Sequence, residues 1–141
     1  MSKMETHGPD SLTMANEDYL ESVYRLTYEQ DAFETGIRSV DVAEQLEVSK
    51  ASVNKAISLL KEQGMVNQEH YGKVTLTDEG RVYGSLVWRA HRALRAFLIN
   101  EIGVAAEVAE EEACLVEHVL SKNTMNLLIQ HLTERGIFID D

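Results

Sequence analysis

The sequence predicts a mainly α-helical chain in two parts, a winged helix-turn-helix followed by a helical half rich in polar donors. Three observations predict it. Apolar residues recur at helical spacing through most of the chain, beginning with Tyr19, Leu20, Val23, Tyr24 and Leu26. Two short amphipathic segments either side of Glu47-Val48-Ser49 are followed by two strand-like runs and the exit Leu76-Thr77-Asp78-Glu79-Gly80. Beyond Gly103 the helices carry more apolar surface than a small single chain can bury, which predicts a helical homodimer interface around Val119, Leu128 and Leu132. The expected division is a disordered leader over 1–13, a winged helix over 14–80, and a second helical domain over 81–141 entered through a long connecting helix.

The first helix starts at Thr13 or Asn16, either of which is a good N-cap, and runs to about Glu29. Asp18 and Glu21 lie three apart on it, with Glu17 beside them. Gly36 breaks the pattern. Ser39 is read as the cap of Val40–Leu46, with Val42, Ala43 and Leu46 inward. Ser49 is read as the cap of a second helix, 50–63, whose inward residues are Val53, Ala56, Ile57 and Leu60, and Gly64 ends it. Its outward positions are Lys50, Ser52, Asn54, Lys55 and Lys61. Between Ser49 and Lys61 there are three Lys and no acid, although the whole chain holds 13 Lys+Arg against 24 Asp+Glu. A recognition helix in a DNA major groove requires such a local reversal of charge; a solvated helix with chance lysines is the bland alternative. Lys50, Ser52, Asn54 and Lys55 are the expected DNA contacts, with Lys73 of the wing on phosphate.

Met65–His70 and Lys73–Leu76 read as a hairpin about Tyr71-Gly72. Thr77 caps the longest helix, which runs from Asp78 to about Asn100 and carries His91 among apolar residues. A further helix spans Ala105 to about Leu120. Ser121 caps the last one, 122–134, whose apolar side is Met125, Leu128, Ile129 and Leu132.

The acidic balance, a formal charge of −11, argues against nucleic-acid binding when taken alone, because phosphate contacts need cations. It suits a protein that binds cations, or one whose DNA affinity waits for a cation. A single cysteine, Cys114, rules out an intramolecular disulfide and fits a reducing compartment. No apolar run is long enough to span a bilayer, and residues 1–12 lack a signal-peptide core, so a cytoplasmic location without membrane contact is expected. On a helix, Cys114, Glu117 and His118 fall at i, i+3 and i+4 and leave one face together, with Glu110 one turn earlier. Thiol, carboxylate and imidazole are ligand types for a first-row divalent metal. A small buried cysteine beside a solvated acidic stripe is the competing reading, as a core histidine is for His91.

Taken together the chain resembles the diphtheria-toxin-repressor family of metal-dependent transcriptional regulators, and most the short manganese-transport-regulator branch. The resemblance spans Met14 to about Glu134. It rests on Glu17-Asp18-Tyr19-Leu20-Glu21, the helix-turn-helix with Leu76-Thr77-Asp78-Glu79-Gly80, Arg89-Ala90-His91-Arg92 with Phe97-Leu98, and Glu112-Ala113-Cys114 followed by Glu117-His118. The order and spacing of these marks together, rather than any one of them, are specific. The sequence stops where larger members continue into an SH3-like domain, so that domain is not expected. The resemblance implies metal ligation by Asp18, Glu21, His91, Cys114, Glu117 and His118, with Glu110 as an extra candidate. Two departures stand out. Cys114 is iron-branch-like while Asp18 is manganese-branch-like, and Arg95 stands where the iron branch places an ancillary acid.

The expected function is therefore a homodimeric repressor of metal-uptake genes, activated by Mn(II) or Fe(II) at one or two ions per subunit and bound to a palindromic double-stranded operator. Other divalent ions can fill such a site in vitro. Two other classes are a winged-helix regulator with no metal response and a small metalloenzyme. The second lacks a nucleophile, an oxyanion cluster or a Gly-rich loop, so no catalytic role is expected.

Overall fold

The structure, a computed structural model, describes residues 12–69 and 72–137. The expected leader up to residue 11 and the wing tip at His70 and Tyr71 lie outside the described residues. Two compact units divide the chain, the first Leu12–Leu86 and the second from Val87 onward.

The first unit begins one step earlier than the sequence suggests. Leu12, placed in the leader by its position, is buried, and its backbone N–H donates to the Tyr83 hydroxyl at 3.1 Å. Thr13 caps α1 (Met14–Glu29), its side chain accepting from the Asn16 N–H. Helix α2 (Ser39–Leu46) also starts earlier: Arg38 holds the cap position without a side-chain hydrogen bond, and Ser39 is already helical. The αL conformation of Glu47 ends α2 and sets the turn. Helix α3 (Lys50–Glu62) is capped by Ser49, which accepts from Ser52 N–H. Strands β1 (Val66–Gln68) and β2 (Val74–Leu76) pair antiparallel, with Val66 opposite Leu76. A bridge from Ile37 to Val74 adds a third segment that periodicity did not reveal.

Leu20, Val23, Ile37, Val42, Val53, Ile57, Leu60, Val66 and Val74 form the centre of one apolar core. Full burial of each such side chain contributes roughly 1.5–3 kcal/mol, so apolar packing is the main hold on the third helix of this unit. Two glycines are required by what lies against them. At Gly36, φ is +85° and an added Cβ would meet Lys73 Cβ and Val74 O at 2.9 Å. At Gly80 a Cβ would stand 1.8 Å from Met65 O, so only glycine lets the next helix pass the start of the wing. Thr77 joins the same corner, its hydroxyl donating to Gly64 O at 2.6 Å and accepting from Gly80 N–H at 3.0 Å.

Helix α4 (Asp78–Phe97) starts in the first unit and ends in the second. It stops short of Asn100: residues Leu98–Ile102 form a π-helical turn closed by Gly103 at φ +85°. Helix α5 (Ala106–Val116) also ends early, so Glu117 is its C-cap and His118 sits in the following turn. Helix α6 (Lys122–Glu134) is capped by Ser121, which accepts from Thr124 N–H. Ala90, Ala93, Leu94, Ala113, Met125 and Leu132 form the second core. Leu132 is fully buried there, which corrects its assignment to a dimer contact: a side chain with no accessible surface has none to give a partner. Leu128 is half-buried against the same core, while Val119 is exposed. Among the described residues no helix is long and apolar enough to cross a membrane.

Candidate metal centre and nucleic-acid interface

In the second unit the polar donors gather around one carboxylate. Ala113 places α5 against Ala90, Ala93 and Leu94 of α4. The turn after α5 then carries Glu117 and His118 into the interior, where both are buried, together with His91 of α4. Glu117 Oε1 lies 3.3 Å from His91 Nδ1 and 3.9 Å from His118 Nε2. A buried charge of this kind is stable only when paired or when it coordinates a cation. Imidazole and carboxylate are ordinary ligands of a first-row divalent ion. Cys114 is half-buried on the same helix, one turn before His118. Glu117 and His118 lie beyond the last helical residue, Val116, and reach the interior from the turn.

His91 is held on its other edge. Its Nε2 is 2.5 Å from Glu110 Oε2, and Arg95 Nη1 donates to Glu110 Oε1 at 3.0 Å. The Glu110 carboxyl sits below its usual range; burial opposes this, but the neighbouring His91 charge and the Arg95 hydrogen bond outweigh it. Trp88 stacks on His91 with ring centroids 5.4 Å apart and planes 11° apart, and the Arg92 guanidinium lies over the Trp88 ring at 5.4 Å. Trp88 escaped the sequence reading; its i, i+3 spacing to His91 was the signal that could have found it.

In the first unit α1 carries three acids in a row of turns: Glu17 and Glu21 are buried and Asp18 is half-buried. Glu17 accepts a short hydrogen bond from the Tyr83 hydroxyl. Burial, then that bond, push the Tyr83 hydroxyl above the ordinary tyrosine range. Lys50, Ser52, Asn54 and Lys55 are all exposed on α3, and Lys73 is exposed at the wing. Lys61 differs from them: its Nζ donates to Gln68 O at 3.1 Å and ties the helix end to β1.

Residues 11–74 match the iron dependent repressor N-terminal DNA binding domain, and residues 77–135 match the iron dependent repressor metal binding and dimerisation domain. The chain belongs to the diphtheria-toxin-repressor family. An uncharacterised HTH-type transcriptional regulator of Methanocaldococcus jannaschii is 30% identical over 117 residues, covering 83% of this chain and 91% of that one. The iron-dependent repressor IdeR of Mycobacterium leprae is 32% identical over 123 residues, 87% of this chain and 52% of its own length. A manganese-dependent transcriptional repressor, solved in complex with manganese, is similar with a TM-score of 0.70 and 32% identity, over 84% of this chain and 52% of that one. The chain thus spans about half the length of these last two relatives. As a member of this family it has a DNA-binding domain and a metal-binding and dimerisation domain.

Proposed function

We propose that the protein is a cytoplasmic, homodimeric, metal-dependent repressor of metal-uptake genes that binds a palindromic operator when loaded with Mn(II) or Fe(II), and that it catalyses no reaction. The observation that carries this reading is the buried Glu117 carboxylate between two imidazole nitrogens, in a chain whose front half exposes a basic, acid-free helix face. A bound divalent ion supplies the positive charge that such buried carboxylates require. His91, Glu117 and His118 are the proposed ligands of the second unit; Asp18 and Glu21 of α1 and Cys114 of α5 complete the set, for one or two ions per subunit. Asp18 and Glu21 favour Mn(II), whereas a ligating Cys114 sulfur favours Fe(II). Residues 14–80 serve DNA binding and 81–141 serve metal binding and dimerisation. Lys50, Ser52, Asn54 and Lys55 face the major groove and Lys73 a phosphate.

The dimer surface is proposed around Val119, joined by exposed Leu115, Val116 and Leu127. The two recognition helices then reach half-sites about one helical turn apart. A coupling of about 1–3 kcal/mol between ion and DNA is enough for regulation.

The test is operator binding with EDTA, with Mn(II), and anaerobically with Fe(II). Strong binding only with a metal is expected. Operator binding equal in EDTA and in Mn(II) would leave a winged-helix regulator without metal response.

A further inference from the structure

We propose that Glu110 is a positioning residue and not a ligand, and that with Arg95 as its anchor it holds His91 so that Nδ1, rather than Nε2, is offered to the cation. The proposal rests on the metal-sensing reading above and deepens it. Glu110 is engaged through both oxygens, Oε2 at 2.5 Å from His91 Nε2 and Oε1 at 3.0 Å from Arg95 Nη1. The opposite ring nitrogen, Nδ1, lies 3.3 Å from Glu117 Oε1.

The two carboxylates that flank the ring differ in kind. The Glu110 side chain is 48% exposed and shares its charge with a guanidinium that keeps its proton at any physiological pH. The Glu117 side chain has no exposure and neighbours a second imidazole, His118. A neutral imidazole has one N–H and one lone pair. The N–H belongs on Nε2, where a carboxylate already balanced by Arg95 accepts it. The lone pair is then on Nδ1, on the side of the buried carboxylate. Stacking on Trp88, with planes 11° apart, holds the ring in that orientation.

A divalent ion approaching Glu110 would meet the Arg95 guanidinium, so the same arrangement closes that end of the helix pair to a further cation. Carboxylates that accept the second N–H of a ligating histidine raise its basicity and fix its tautomer, and losing one lowers metal affinity by about 10–100-fold.

Zn(II) is a suitable diamagnetic probe for the full-length protein. Long-range proton–nitrogen correlation of the Zn(II)-loaded protein is expected to show the metal on His91 Nδ1 and a slowly exchanging proton on Nε2. Glu110→Ala is expected to bind as many Zn(II) ions per chain by equilibrium dialysis as the parent, about 10–100-fold more weakly, with fast exchange of the Nε2 proton. Arg95→Met is expected to change affinity and exchange in the same direction by less. A melting curve of the metal-free variants confirms folding. Zinc on Nε2, one ion fewer in Glu110→Ala, or unchanged affinity and exchange in both variants would overturn the proposal while leaving metal sensing intact. A parent that binds no Zn(II), Mn(II) or Fe(II) would instead overturn the sensing reading.

Discussion

The two units solve the problem of burial differently. In the first, large aliphatic side chains from α1, α2, α3 and the wing close on one another, and α3 exposes Lys50, Ser52, Asn54 and Lys55. In the second, three of the six core residues are alanine, and the interior also takes in His91, Arg92, Glu117 and His118. Ile102, Val108, Leu115, Val116, Val119 and Leu127 remain exposed there. Both units bury acids, Glu17 and Glu21 in the first and Glu117 in the second, and both leave large apolar side chains exposed; the second differs in its smaller apolar core and its buried imidazoles. Residues 11–74 match a DNA-binding domain and residues 77–135 a metal-binding and dimerisation domain.

Core truncation should break the symmetry most. Ile57→Ala, in the first core, is expected to lower stability by about 2–5 kcal/mol, by the same amount with Mn(II) as with EDTA. A metal-dependent loss, read from denaturant curves, would mean that the packing of the first core is itself coupled to the ion. Next in size is the surface of the second unit. Leu115→Glu puts a charge on one of its most exposed aliphatic positions, and a hot-spot loss of about 2 kcal/mol or more would shift sedimentation towards monomer at micromolar concentration. An unchanged dimer would place the interface elsewhere. The smallest effect is expected at Lys55→Glu, which leaves fold and metal binding alone. It should weaken binding to every DNA sequence at moderate salt, and a phosphate role lowers the salt slope by about one. Unaltered operator affinity would remove α3 as the recognition helix.

How much of this was legible depended on the range of the interactions. Thr13, Ser49 and Ser121 cap their helices through hydrogen bonds three residues away, so their positions could be read directly. The Leu-Thr-Asp-Glu-Gly exit was legible as a pattern, and its reason is steric: the backbone of Met65 leaves no room for a Cβ at Gly80. Ser39 looked like a cap, yet the helix had already begun, because Arg38 takes the extended conformation ahead of it.

The amino-acid order by itself determined the helix-turn-helix, the strands of the wing and the basic positions of α3, because period, caps and charge act within a few residues, whereas the full set of metal donors came from the resemblance to a family. Tertiary structure alone decided which donors are buried and what they meet. The early end of α5 carries Glu117 and His118 into the interior from a turn. Packing with α4 gives Glu110 to His91 and Arg95, and takes Leu132 out of reach of any partner. Spacing along a helix places a side chain on a face, but burial and hydrogen-bond partners depend on what covers that face, and that comes from residues far away in the chain.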